Sequence, residues 1–211
     1  MIGGRGEKPG PGRSRMRKII VIGCPGAGKS TFARRLRDKT GIPLYYLDML
    51  WHKPDKTNIT REEFDAGLNG IMKNEAWIID GNYLRTLEVR LQNCDTVFFL
   101  DYPLELCLEG ARARTGKERE DMPWTETEFD EEFRQWILDF PRDQLPEIYE
   151  LLEKYRDGKE IIVFRTREEA DAYMRDMEIQ VRSMKVKVLE RGKSNESERL
   201  HVDKNTGKFQ S

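Results

Sequence analysis

Gly23-Cys24-Pro25-Gly26-Ala27-Gly28-Lys29-Ser30, set directly behind the β-branched run Ile19–Ile22, constrains this 211-residue chain more than any other segment. The apolar run fits a short strand buried on both faces. Beyond the glycines, Phe32, Ala33 and Leu36 recur at the spacing of an amphipathic helix. Glycines at 23, 26 and 28 let the backbone turn so that successive N–H groups face one concavity, and a helix starting near Lys29 adds the partial positive charge of its N-terminus. The string G-x-x-x-x-G-K-[ST] arises by composition in about one chain in a hundred of this length, and the strand before it and helix after it make chance rarer still. A polyphosphate fits such a cradle. Gly23, Pro25, Gly26, Ala27, Gly28, Lys29, Ser30 and Thr31 are the candidate nucleotide-binding residues. Lys29 would reach between the β- and γ-phosphates, and the Ser30 hydroxyl would supply one oxygen to Mg²⁺. ATP and Mg²⁺ are the expected cofactors.

Four further apolar runs read as buried strands: Pro43–Leu47, Trp77–Asp80, Thr96–Asp101 and Glu160–Phe164. Strands of this kind, separated by longer segments, imply a parallel sheet. Thr60-Arg61-Glu62-Glu63 and Thr166-Arg167-Glu168-Glu169 have the Thr-x-x-Glu form of a helix start, where hydroxyl and carboxylate each satisfy an orphan backbone N–H. Leu104, Cys107, Leu108 and Ala111 recur at helical spacing behind Pro103, and Phe129, Phe133, Trp136, Ile137 and Phe140 do so before Pro141. Strand alternating with helix, joined by right-handed crossovers, predicts a three-layer α/β/α fold on a five-stranded parallel sheet. Its ligand crevice lies beyond the strand C-termini. The fold is expected over residues 18–177. Residues 1–17, rich in Gly, Pro and Arg, read as a disordered leader, and 178–211 as a charged, flexible tail with room for a short element at Val186–Leu189.

Charge and composition narrow the partners. Lys+Arg 37 against Asp+Glu 38 leaves a formal charge of -1, so no long-range field draws the molecule to phosphate polymers or anionic lipid, although both termini are basic. No run approaches the ~20 apolar residues that cross a bilayer, and the N-terminus lacks the apolar region of a secretory signal. A cytoplasmic protein without a membrane partner, monomeric or weakly dimeric, is expected. The three cysteines, Cys24, Cys94 and Cys107, lack zinc-site spacing and read as reduced thiols. With only His52 and His201, a hydrolase triad has little to work with.

Asp48, Asp80 and Asp101 each close an expected strand, so parallel strands would bring three carboxylates to the edge where the glycine loop opens. There they would hold Mg²⁺ through water or accept a proton from an attacking oxygen. The plainer alternative is that Asp terminates strands and begins turns.

Gly23 to Thr31, Leu47-Asp48-Met49-Leu50, Ile79-Asp80-Gly81-Asn82-Tyr83-Leu84-Arg85-Thr86 and Leu100-Asp101-Tyr102-Pro103 resemble, in this order, the motifs of adenylate kinase and related nucleoside monophosphate kinases. More closely, residues 18 to 174 resemble the bacterial "topology modulation" (FlaR-type) proteins, carried by Leu47-Asp48-x-x-Trp51-His52-Lys53 and Arg119-Glu120-Asp121-Met122-Pro123-Trp124. The resemblance implies a P-loop kinase-like domain with an acceptor region at about 48–75 and a helical lid at about 112–142. It implies that Asp48 and Asp80 touch the magnesium shell and that Arg85 grips the acceptor. Of the cluster Arg112, Arg114, Lys117 and Arg119, it favours Arg114 and Arg119 as the catalytic arginines that neutralise the transferring phosphoryl group, with Arg142 as a further contributor. Lys29, Asp48, Asp80, Arg114 and Arg119 thus form the expected catalytic set, and Asp48, Trp51, Asn82 and Arg85 the expected substrate contacts. Trp51 stands where those kinases often carry a phosphate-binding Arg, which speaks against AMP as acceptor. The alternatives are that Trp51 and His52 stack on, or hydrogen-bond, another planar or hydroxyl-bearing molecule, or that Trp51 packs in the core of a small acceptor subdomain. Three readings remain open from sequence: a kinase acting on a nucleotide or other small molecule, a nucleotide-binding regulatory protein linked to DNA topology or transcription, and a slow ATPase or GTPase. The lack of a guanine-reading Asn-Lys-x-Asp string favours ATP.

Overall fold

The computed structural model describes residues 16–177 and Ile179. The expected leader over 1–15 and the expected tail with its element at Val186–Leu189 lie outside these residues. Two compact units divide the chain, Met1–Ala170 and Asp171–Ser211. Of the second, residues 171–177 are helical. No helix of the described residues is long and apolar enough to cross a membrane.

The first unit is a three-layer α/β/α fold. Its strands are β1 (Lys18–Gly23), β2 (Leu44–Tyr46), β3 (Trp77–Asp80), β4 (Thr96–Leu100) and β5 (Glu160–Phe164), all parallel in the order β2-β3-β1-β4-β5. The continuous β-branched run puts β1 at the centre, where both faces are covered and Ile19 to Ile22 are wholly buried. Register then sets the site: Val21 pairs with Asp80 of β3 and Gly23 with Leu100 of β4, so the glycine loop leaves the sheet beside the Asp80 carboxylate. Arg17, assigned from sequence to the leader, joins the opposite edge of the sheet, where β1, β3 and β4 begin. Its backbone N–H donates to Asp95 at 3.0 Å and its carbonyl accepts from Trp77 N–H at 2.8 Å.

Helices cover both faces because successive strand residues point to opposite sides. Phe98 of β4 meets Phe32 of α1 (Lys29–Thr40) at 5.0 Å between ring centroids. Its neighbour Phe99 meets Tyr149 of α7 (Leu145–Lys154) at 5.5 Å, so these two helices lie on opposite faces. Five helices intervene: α2 (Leu47–Trp51), α3 (Arg61–Met72), α4 (Leu87–Asn93), α5 (Leu104–Ala113) and α6 (Glu131–Asp143). The capping box expected at Thr60 is present on α3, with Glu63 N–H on the Thr60 hydroxyl at 3.1 Å and Thr60 N–H on the Glu63 carboxylate at 2.8 Å.

Three elements differ in their bounds from the sequence reading. β2 ends at Tyr46, not Leu47, because its only partner β3 stops at Asp80, the residue paired with Tyr46, and Gly81 turns away at φ 139°. The chain at once coils into α2, which carries Asp48 and Trp51. β4 stops at Leu100, so Asp101 lies just past the strand, although its N–H still donates to the Phe164 carbonyl at 2.9 Å. α6 starts at Glu131, after Phe129, and runs through Pro141 to Asp143. The proline forfeits one backbone bond, and Gln144 N–H closes the last turn on the Phe140 carbonyl at 3.0 Å.

Candidate functional site

A cavity of about 840 Å³ opens at the C-terminal edge of the sheet. Its floor is the glycine loop. Gly26 has φ 82°, and a Cβ there would lie 2.0 Å from the Cys107 carbonyl oxygen of α5. From the other side, a Cβ on Gly110 would lie 2.1 Å from the Gly26 carbonyl oxygen. The loop is thus seated on α5 by two glycines that cannot be enlarged. Gly28, in the left-handed conformation, caps α1 without a side-chain hydrogen bond and leaves the first-turn N–H groups to a ligand. Lys29 folds back, its Nζ donating to the Cys24 carbonyl at 3.0 Å. Pro25, Lys29 and Ser30 line the cavity, whereas Thr31 points to solvent and accepts from Arg34 Nη2 at 3.2 Å. Ser30 Oγ donates to Asp121 Oδ2 at 2.9 Å, which leaves the oxygen lone pairs of Ser30 available.

Of the three strand-end carboxylates, the structure brings two into the cavity. Asp80 is buried, and its Oδ1 has no hydrogen-bond partner among the described residues. Burial pushes its carboxyl up to about 7; Lys29 and Ser30 pull it down, while Asp48 and Asp121 push it up. Asp48, in the first turn of α2, accepts from the Tyr83 hydroxyl at 2.9 Å. Burial first, then the Asp48 carboxylate, hold the Tyr83 phenol well above its usual range, so it remains a donor. Asp101 is engaged elsewhere, accepting from the Tyr149 hydroxyl and the Arg165 guanidinium. The additional carboxylate at the loop is Asp121, buried and within 3.7 Å of Arg34 and 3.8 Å of Arg119.

The wall expected to receive the acceptor is aromatic. Trp51 lines the cavity and also packs edge-on against Phe64 at 5.6 Å. His52 is held by Asn58 at 2.7 Å and meets Trp124 edge-on at 5.0 Å. Asn82 donates to Gln144 Oε1 at 2.7 Å. Arg85 lies outside this cavity. Tyr83, with φ 25°, turns into it instead, and the 3₁₀ turn Leu84–Thr86 carries Arg85 to α3, where it makes a two-pronged pair with Asp65 at 2.9 and 2.7 Å. Arg90 holds this loop from beneath. Wholly buried, it donates to the carbonyls of Gly81 (2.8 Å), Asn82 (2.6 Å), Tyr83 (2.9 Å) and Thr86 (3.2 Å), and burial lowers it to about 10, so it stays charged at neutral pH.

In the segment expected to form a lid, Arg114 lines the cavity with its Nε 3.2 Å from Glu126 and its guanidinium over the Phe133 ring at 4.9 Å. Burial, then the charge of Arg119, lower its pKa. Arg119 sits behind it, 3.7 Å from Glu126. Arg112 covers the Phe129 ring at 5.5 Å, and Arg142 pairs at the surface with Asp139 and Asp143. The sequence reading assigned no role in the site to Asp121, Trp124, Glu126, Gln144 or Arg90. The first two lie in the Arg-Glu-Asp-Met-Pro-Trp string of the family resemblance, and Arg90 interrupts the apolar stripe Leu87, Leu91 of α4.

No family model matches the chain. Over 91 residues it is 31% identical to an adenylate kinase of Thermotoga neapolitana, a match covering 42% of this chain. The chain thereby spans 40% of the length of that curated relative. Among solved structures it is similar to a sugar kinase from Janibacter sp. HTCC2649 (18% identity, 76% of this chain and 91% of that one, TM-score 0.47). It is also similar to a shikimate kinase from Acinetobacter baumannii in complex with shikimate (19% identity, 86% and 95%, TM-score 0.44). A third similar structure is a gluconokinase from Sinorhizobium meliloti 1021 (14% identity, 85% and 99%, TM-score 0.46).

Proposed function

We propose that this chain is an ATP-dependent phosphotransferase that moves the γ-phosphoryl group of Mg-ATP to a hydroxyl of a small molecule. The observation that carries the reading is that one cavity is shared by Lys29 and Ser30 of the glycine loop, by Asp48 and Asp80, and by a half lined with Trp51, His52 and Trp124. The partial match to an adenylate kinase supports the same class of reaction.

The α1 N-terminus and the loop amides would cradle the phosphate tail, and the Lys29 ammonium would exchange the Cys24 carbonyl for phosphate oxygens. Mg²⁺ suits the donor set: the buried, unpartnered Asp80 oxygen and the Ser30 hydroxyl would hold it together with Asp48, phosphate and water. Bound there, the ion would neutralise charge on the β- and γ-oxygens. As the acceptor oxygen bonds to the γ-phosphorus and the bridging bond to ADP breaks, the hydroxyl proton passes to Asp48, which Tyr83 holds in place. Arg114, released from Glu126, would stabilise the transferring oxygens, and the lid would exclude water.

Calorimetry with Mg-ATP and a coupled assay of ADP release over a panel of hydroxyl compounds test the proposal. The expected results are heat on ATP addition, acceptor-dependent ADP release, and loss of at least ~100-fold of that activity in Lys29→Ala with its circular dichroism unchanged. ADP formed equally without acceptor would identify an ATPase, and ATP binding with no turnover on any acceptor a regulatory protein.

A further inference from the structure

The acceptor half of the cavity has a chemistry of its own. Seven carboxylates line the whole cavity against three cationic side chains, Lys29, Lys56 and Arg114. Lys29 belongs to the glycine loop, Lys56 is exposed at the rim, and Arg114 is held between Glu126 and the face of Phe133. Two other arginines near this wall are turned away from it: Arg85 is committed to Asp65 on α3, and Arg90 is spent on backbone carbonyls beneath the loop. A monophosphate or carboxylate entering here would leave water to face Asp48 and Glu128 with Arg114 taken up by the transferring oxygens and Arg85 and Arg90 committed elsewhere, and a charge buried without a partner is strongly disfavoured. The indole rings of Trp51 and Trp124 in the lining suit the opposite kind of guest, since aromatic rings accept C–H surfaces and attract cations.

We propose that the acceptor is a hydroxyl compound carrying no negative charge, a neutral or cationic polyol or amino alcohol, received between Trp51, His52 and Trp124 with its reacting hydroxyl at Asp48, and that nucleoside monophosphates are rejected. This inference rests on the phosphotransferase reading and names the substrate class of the same site.

The test separates the two. Calorimetry with Mg-ATP is run first; if no heat appears, the phosphotransferase reading and this inference fall together. With ATP binding established, ADP release and tryptophan fluorescence are followed against AMP and UMP, against D-glucose and D-glucosamine, which divide a neutral from a cationic guest of similar size, and against a library of neutral, cationic and anionic hydroxyl compounds. The expected result is a neutral or cationic compound whose kcat/KM exceeds those of AMP and UMP by at least tenfold and which saturably changes the fluorescence. Trp124→Ala should raise its KM about tenfold with kcat within about twofold, and Trp124→Phe should restore most of the affinity. Saturable phosphorylation of AMP or UMP at a comparable kcat/KM overturns the inference and leaves the phosphotransferase standing. A library in which only anionic compounds are accepted, or none is, overturns it equally.

Discussion

Asp80 is held in the fold at an electrostatic loss. Burial raises its carboxyl from about 4, the ordinary value, to about 7. Between those values the folded protein keeps a proton that the unfolded chain releases, so this group's contribution to stability falls as pH rises through that window. Above about pH 7 the penalty is fully in place. Asp80→Asn, which cannot ionise, should therefore unfold at higher urea than the parent at pH 8, with the difference disappearing toward pH 4. The same substitution should cut Mg-ATP-dependent turnover at least ~100-fold, because the unpartnered oxygen offered to the cofactor is gone. A variant less stable than the parent at pH 8 would contradict the account.

At the scale of elements, the site depends on two joints that involve no reacting atom. One is the seat of the glycine loop on α5. Gly26→Ala would place a methyl against the Cys107 carbonyl at a φ of 82°, with backbone on both sides and nothing flexible to move. A loss of about 3 kcal/mol or more is expected in urea unfolding, together with loss of ATP binding. The other joint is the loop after β3, tied down by Arg90. Arg90→Met keeps the volume and removes the guanidinium donors to the carbonyls of Gly81, Asn82, Tyr83 and Thr86, of which Tyr83 keeps the Thr86 N–H; a loss of about 3 kcal/mol is expected. Because that loop sets Asn82 and Tyr83, the KM for acceptor should rise more than the KM for ATP, a split that steady-state kinetics resolves.

For the whole molecule, ligand linkage offers the broadest check. A nucleotide that binds only the folded state contributes about 2.7 kcal/mol at a hundred times its Kd, which for a domain of this size is an upward Tm shift of about 5–10 °C. Mg-ATP should produce that shift in differential scanning fluorimetry, and Lys29→Ala should abolish most of it. The strand order explains why these groups share one cavity. β1 lies between β3 and β4, so the loop from β1, the carboxylates following β2 and closing β3, and the lid reached from β4 all gather at the same edge.

What sequence alone determined was whatever depends on neighbours along the chain. Ile19–Ile22 with the glycine string specified a buried strand, a bent loop and a helix start, because apolar period, glycine conformations and capping are local physics. The parallel sheet followed from the spacing of such strands, and with it the edge at which Asp48 and Asp80 meet. Tertiary structure decided what each long side chain reaches. After Gly81 the chain turns Tyr83 inward and carries Arg85 to Asp65, a choice set by the Arg90 clamp and by α3, both remote from the motif. Asp121 reaches Ser30 across a sequence separation of 91 residues, and Asp101 is taken by Tyr149 and Arg165. Flexible charged side chains settle on whichever opposite charge the fold brings within reach, and that distance is written in three dimensions and not in the order of the chain.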